Sequence, residues 1–224
     1  MKRILRKHAN LWHRKDFLLS VLSGFGLLAV SLVVNYFAGI YSSAIASNPV
    51  TDIILSHVPV FDVDAIFVEG FAVFVLFLVG VLIAEPRHIP FVLKSTAIFI
   101  LIRAFSVSLT HIGPFPQQVP LDSAGKITDL FNFTGDLFFS GHTGLTFLMA
   151  LIFWRERWLR LAFLAFSVVF AVTVLLGHLH YSIDVFGAYF ITFTIHHLAT
   201  RFFRKDALRS VGADAGAVTA DVVV

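Results

Sequence analysis

Two short stretches hold the residue types that can do chemistry. In GHLHYSIDVFGAYFIT (177–192), His180 precedes Asp184 by four residues. On a helix that spacing stacks the two side chains on one face, a turn apart. A carboxylate so placed accepts from one imidazole nitrogen and leaves the lone pair of the other aimed outward. In GDLFFSGHTGLTF (135–147), Ser140 fits a helix N-cap and Gly141 lets a ligand approach the backbone. His142 then stands in the first turn. Free N–H groups at such a helix start attract anions, phosphate above all.

The elements that must bring these stretches together are set by composition. Of 224 residues, 58% are hydrophobic and 14% charged, whereas a soluble domain has about 45–50% and about 25%. The chain reads as a polytopic membrane protein. It has no cysteine, which excludes disulfides, thiolate metal ligands and a cysteine nucleophile. A hydrocarbon core of roughly 30 Å needs about 20 helical residues to cross it. Six stretches qualify, at about 17–39, 64–84, 91–112, 140–154, 161–179 and 182–200. The expected fold is therefore all-α, a bundle of six transmembrane helices over 17–204. A basic segment (1–16) precedes it and a disordered tail (205–224) follows.

Fifteen of the 17 Lys and Arg residues fall before span 1, at the 2–3 and 4–5 turns, or after span 6. Cytoplasmic loops carry such an excess, so both termini are expected in the cytoplasm. A secretory signal cleaved after Ala44-Ile45-Ala46 fits poorly, because the apolar run exceeds the roughly 7–15 residues of an h-region. The fourth span is short, which places Trp154 and Trp158 at an interface.

The orientation gathers the polar residues at the other face. His142 opens span 4 and His180 closes span 5, as two helices joined by a tight turn at RERWLR require. Glu69 lies about 8 Å into span 2 and Arg103 about 12 Å into span 3, at about 1.5 Å per residue. Charges within a membrane are rare and are functional candidates; these two are expected to pair or to flank one cavity. His57, His88, His196 and His197 read as interfacial, and His178 as a packed histidine.

FSGHT (139–143) and HYSIDVFGAYFIT (180–192) resemble the two signature blocks of the sphingomyelin synthase branch of the type 2 phosphatidic acid phosphatase superfamily. Asp136 sits where that branch carries Gly-Asp before its SGHT. RAFSVSLTHIGPFP (103–116) is similar to its segment from an arginine to a Pro-x-Pro turn. HVPVFD (57–62), followed by Glu69, is a weaker match. The resemblance implies an active site that cleaves a lipid phosphoester. His180 would be the nucleophile, oriented by Asp184, and a phosphohistidine would form. His142 would act as general acid and then as base. Glu69, Arg103, Asp136, Ser140, Gly141 and Tyr181 would line the substrate cavity, with Asp62 a lesser member. Phospholipids and lipid alcohols would be the substrates, with no cofactor, metal or nucleic acid. The site would face the periplasm or exterior of a plasma membrane, on this reading a bacterial inner membrane.

The chain departs from the phosphatase branch of the same superfamily. Phe139 replaces a proline before Ser-Gly-His, Val174 occupies an arginine position, and Lys94 is not spaced to join Arg103 in a clamp. A phosphate dianion is thereby less well matched than a singly charged phosphodiester, which favours head-group transfer over monoester hydrolysis. Two other readings compete. One is a transporter relaying protons through Glu69, Arg103, His142 and Asp184. The other is a metal or haem site on His178, His180 and Asp184.

Overall fold

The computed structural model describes residues 2–118 and 137–212. Among these the regular elements are all helical: α1 (Lys2–Trp12), α2 (Lys15–Ala44), α3 (Asp64–Ala84), a 3-10 turn (Pro86–His88) and α4 (Ile89–Leu109). After the undescribed stretch come α5 (Gly141–Ile152), α6 (Arg157–Leu176), α7 (Ser182–Phe202) and α8 (Arg204–Ser210).

The six apolar stretches are helical, as α2 to α7, but fewer of them have the length and composition of a span. Among the described residues, four helical stretches are long and apolar enough to cross a membrane: α2, α3, the 3-10 turn with α4, and α6. Helix α5 has 12 residues, about 18 Å at roughly 1.5 Å per residue, which is too short alone. Helix α7 has 21 residues, but Asp184, His196 and His197 dilute its apolar content. The first half of its exposed face is nonetheless apolar: Ile183, Phe186, Phe190 and Phe193. Trp154 and Trp158 are exposed at the α5–α6 turn, beneath Arg160 and Arg157 at 4.8 and 5.9 Å from their rings.

Helix α2 packs along α4, α4 meets α5 and α7, α5 lies against both α6 and α7, and α6 carries α3. Phenylalanines build that last contact: Phe74 and Phe77 of α3 lie edge-on to Phe163 of α6 at 6.1 and 5.3 Å. Helices α2 and α3, consecutive in sequence, thus border different sides of the bundle. The segment 45–63 between them must cross its end.

That strap is fastened all along its length. The Ser47 N–H donates to the His111 carbonyl (2.8 Å) and the Gly113 N–H to Asn48 (3.2 Å). A Cβ at Gly113 would run into the Ser47 carbonyl oxygen, so only glycine permits this approach. Further along, Val50 bonds Tyr181, Asp52 bonds Ser182, Val58 bonds His178, and the Phe61 N–H donates to the Leu176 carbonyl. Although most of its residues are exposed, the strap is thus held by the segment after α4, by the end of α6 and by the start of α7.

The first and last described helices both pack against the 3-10 turn at the opposite end. Amphipathic α1 docks there, Lys7 pairing with Glu85 and a His8 ring nitrogen bonding the Ile83 carbonyl. The expectation of a disordered tail from Lys205 is corrected over 205–210. Helix α8 packs against α2 and α4 because Asp206 accepts from Lys94 and from Ser20, both at 2.7 Å. Arg209 binds Asp206 and Asp16, each at 2.9 Å. Burying Lys94 alone would be costly, and α8 supplies its counter-charge. Residues 213–224 of the expected tail lie outside the described residues.

Candidate active site

Helix α6 ends at Leu176 in a turn that reverses the chain. The Leu179 N–H donates to the Val174 carbonyl (2.8 Å) and the His178 N–H to Leu175 (3.1 Å). This pair of bonds is a Schellman closure. It places His178 in the left-handed region, at φ 53°. Glycine ordinarily fills that position. The His178 side chain supplies a reason for its presence: its buried ring donates from Nε2 to the Val58 carbonyl of the strap at 3.1 Å. Sequence reading made this residue a packed histidine. Packed it is, but as a tether.

Four residues after His180, Asp184 stands in the first turn of α7. Its Oδ2 accepts from His180 Nδ1 and from the Tyr181 N–H, both at 3.1 Å. The capping bond fixes the carboxylate, and the carboxylate fixes the ring, so Nε2 is the imidazole nitrogen left for chemistry. Both side chains are nearly enclosed, at 8% and 1% exposure.

Ser140 caps α5, its hydroxyl accepting from the Thr143 N–H at 3.4 Å. Its own N–H donates to the Asp184 carbonyl at 3.3 Å. The two sequence blocks are thereby joined through backbone. His142 stands in the first turn of α5 among Phe67 and Phe71 of α3 and Phe170 of α6, at ring separations of 4.0, 4.3 and 5.4 Å. His180 and Arg103 lie within electrostatic reach of its ring.

Arg103 reaches the same helix start from α4. A Cβ added to Gly141 would sit 3.0 Å from Arg103 Nε and 3.3 Å from Cζ. Gly141 therefore admits a guanidinium against the backbone, where sequence reading had expected a ligand. The first N–H groups of a helix lack carbonyl partners within it, and the helix end carries partial positive charge. With Arg103 laid over it, this end suits an anion.

Other expected members fall elsewhere. Glu69 is exposed and lines, with Asp62 and Asp64, a surface pocket of about 280 Å³. It lies two residues from Phe67 and from Phe71, hence on the other side of α3 from His142. The expected approach of Glu69 to Arg103 is not what the fold provides. Tyr181 also departs from its expected place at the cavity. It is 1% exposed, and its hydroxyl donates to the Gly113 carbonyl (2.8 Å) and accepts from the Val50 N–H (3.2 Å). Next to His180 in sequence, it points the other way and braces the strap. Asp136 lies outside the described residues.

Asp52 escaped the sequence reading. Its Oδ1 accepts from Ile54 and Leu55 N–H at 2.8 and 3.0 Å, closing a turn on itself. Its Oδ2 accepts from the Ser182 N–H and hydroxyl at 2.7 and 2.8 Å. Burial pushes its carboxyl up, but the donors from Leu55, Ser182 and Ile54 outweigh that and leave it below the usual carboxylate range. The local turn was legible in Asp52 and the residues after it; its partner 130 residues away was not.

No curated protein and no solved structure matches the chain. Residues 134–201, the stretch carrying Ser140, Gly141, His142, His180 and Asp184, match the family described as PAP2 superfamily C-terminal, and there the chain is similar to that family.

Proposed function

We propose that this protein is an integral-membrane lipid phosphotransferase or phosphodiesterase of the sphingomyelin synthase type. One observation carries the reading: His180 and Asp184 are bonded at 3.1 Å and tied through Ser140 to the N-terminus of α5, which holds His142 and over which Arg103 of α4 is laid.

The chemistry follows from the atoms. His180 Nε2 attacks the phosphorus of a head-group phosphoester while Asp184 holds Nδ1–H and stabilises the imidazolium. The bond from phosphorus to the lipid oxygen breaks, and His142 gives its proton to the departing alkoxide. His142, now neutral, takes the proton of an incoming hydroxyl. That hydroxyl, from a lipid alcohol or water, displaces His180 from phosphorus. Arg103 and the α5 N–H groups stabilise the charge on the equatorial oxygens. Asp136 joins the substrate wall on this reading.

The chain would cross the membrane six times, with both termini cytoplasmic and the strap facing the periplasm or exterior. The charge distribution supports this, since fifteen of 17 Lys and Arg residues fall on the side of the termini.

A lipid phosphate phosphatase is the second reading, equally compatible with the family match over 134–201. Against it, Val174 is buried in an apolar cluster where the phosphatase branch has an arginine, so a dianion would find less positive charge. Purified protein with a panel of phospholipids, with and without an alcohol acceptor, separates the two by mass spectrometry. Head-group transfer or release of a phosphorylated head group supports the first reading. Orthophosphate released only from monoesters establishes the second.

A further inference from the structure

Two carboxylates serve the start of α7, and they divide its donors. Asp184 takes the Tyr181 N–H and the His180 ring, each at 3.1 Å. Asp52 takes the Ser182 N–H at 2.7 Å and the Ser182 hydroxyl at 2.8 Å. The second oxygen of Asp184, Oδ1, is buried without a hydrogen-bond partner. Asp184 is therefore under-supplied with donors at a helix end that attracts carboxylates.

We propose that Asp52 is a positioning residue for the His180–Asp184 pair, occupying the Ser182 donors so that Asp184 remains on the His180 ring. If Asp52 is removed, the part-buried Ser182 N–H loses its acceptor, which is unfavourable unless another group accepts from it. Asp184 is the nearest carboxylate in sequence, two residues on, at the N3 position of the same helix. A rotation of its side chain satisfies Ser182 and carries Oδ2 away from Nδ1 of His180. The strap thus acts on the pair through competition for a helix cap. It is built to do so: Asp52 is oriented by its own turn, and the adjacent Leu55 is buried with Leu137 and Tyr181. The functional half of this inference rests on His180 being the nucleophile.

Asp52→Asn is the selective variant. Its amide keeps one carbonyl oxygen for Ile54 and Leu55 but turns a donor toward Ser182. Asp52→Ala removes both sets of bonds. Two measurements on the full chain in detergent decide the matter. The first follows the His180 Nδ1 proton in ¹⁵N-histidine-labelled protein, assigned by its loss in His180→Gln. Asp52→Asn should shift this signal toward that of a ring without a carboxylate partner, whereas Ser47→Ala, which removes only the bond from the Ser47 hydroxyl to the His111 carbonyl, should not. The second is turnover of a phosphocholine or phosphoethanolamine lipid. There kcat should fall about 10–100-fold with KM within about twofold, because the geometry of attack and not substrate binding is altered.

A lower melting temperature with an unmoved His180 signal and parental kcat would overturn the proposal and leave Asp52 as a strap anchor. If Asp52→Ala does not fold, the Asp52→Asn result stands alone. If the parent turns over no phospholipid, the proposed activity fails, yet the proton signal still decides whether Asp52 keeps Asp184 on His180.

Discussion

The Ser140 N–H donates to the Asp184 carbonyl across 3.3 Å. Through that one bond, the residue that caps α5 rests on the residue that orients His180. An anion held at the α5 end is thereby indexed to the imidazole that would attack it. Effective molarity of this kind is lost by displacements of about 1 Å.

The two histidines should respond differently to substrate chemistry. His180→Ala should be inactive with every substrate, since no bond to phosphorus can form. His142→Ala should lose about 10²–10⁴-fold on a phospholipid. It should recover much of that on an aryl phosphodiester, whose leaving group needs little protonation. Steady-state rates on both substrates check this, and rescue of His180→Ala instead would exchange the two roles.

Gly141→Ala tests the seat of Arg103. The new methyl would stand 3.0 Å from Nε, so the guanidinium must shift by a few tenths of an ångström. Alanine is acceptable to the helix itself, so the melting temperature should hold. Turnover should fall about tenfold, or about 1.4 kcal/mol of transition-state stabilisation. Arg103→Ala should lose about 10²-fold or more. Parental rates in both variants would make Arg103 a structural residue.

His178 sets backbone strain against a tether. Removing the ring leaves the Val58 carbonyl without its donor, at about 1 kcal/mol. The left-handed backbone costs a non-glycine residue about 1–2 kcal/mol. His178→Ala keeps the strain and loses the bond; His178→Gly loses both. Glycine should therefore be the more stable variant, opposite to the ranking of the two residues inside a helix. Melting in detergent followed by tryptophan fluorescence reads this ordering directly.

Sidedness can be read with thiols, because the chain has no cysteine. Ser56 on the strap and Lys205 on α8 are both exposed. Single cysteines there should label oppositely with an impermeant maleimide on intact cells, Ser56→Cys from outside and Lys205→Cys only after permeabilisation. Equal labelling would remove the proposed external site.

Legibility in the sequence followed the range of the interaction. Span 64–84 coincides with α3 and span 182–200 with most of α7, because long apolar runs between charges allow little else. The His180–Asp184 pair was legible because i,i+4 is a local geometry. Helix α8 was not: seven residues are too few to show a period, and its order comes from Lys94, more than a hundred residues away. Helix α1 was legible only as a basic segment, since its 11 residues have a low apolar content. Tyr181 and Glu69 were placed by sequence proximity or depth, and neither fixes the direction in which a side chain leaves its helix. Asp52 combined both problems, a legible turn with an unforeseeable partner.

The fastenings of the strap also bear on how the molecule is made. Val50, Asp52 and Val58 bond residues 131, 130 and 120 positions later in the chain. When the strap leaves the ribosome, none of its anchors has yet been synthesised. Pairing over such separations is slow because loop closure precedes any gain. Until residue 182 emerges, the nascent chain holds α2 and α3 joined by a segment with unmatched backbone donors, at the face where His180 will later sit. Formation of the His180–Asp184 pair and closure of the strap at α7 are therefore the same late event in biogenesis, and a chain stalled before it is recognisable as unfinished.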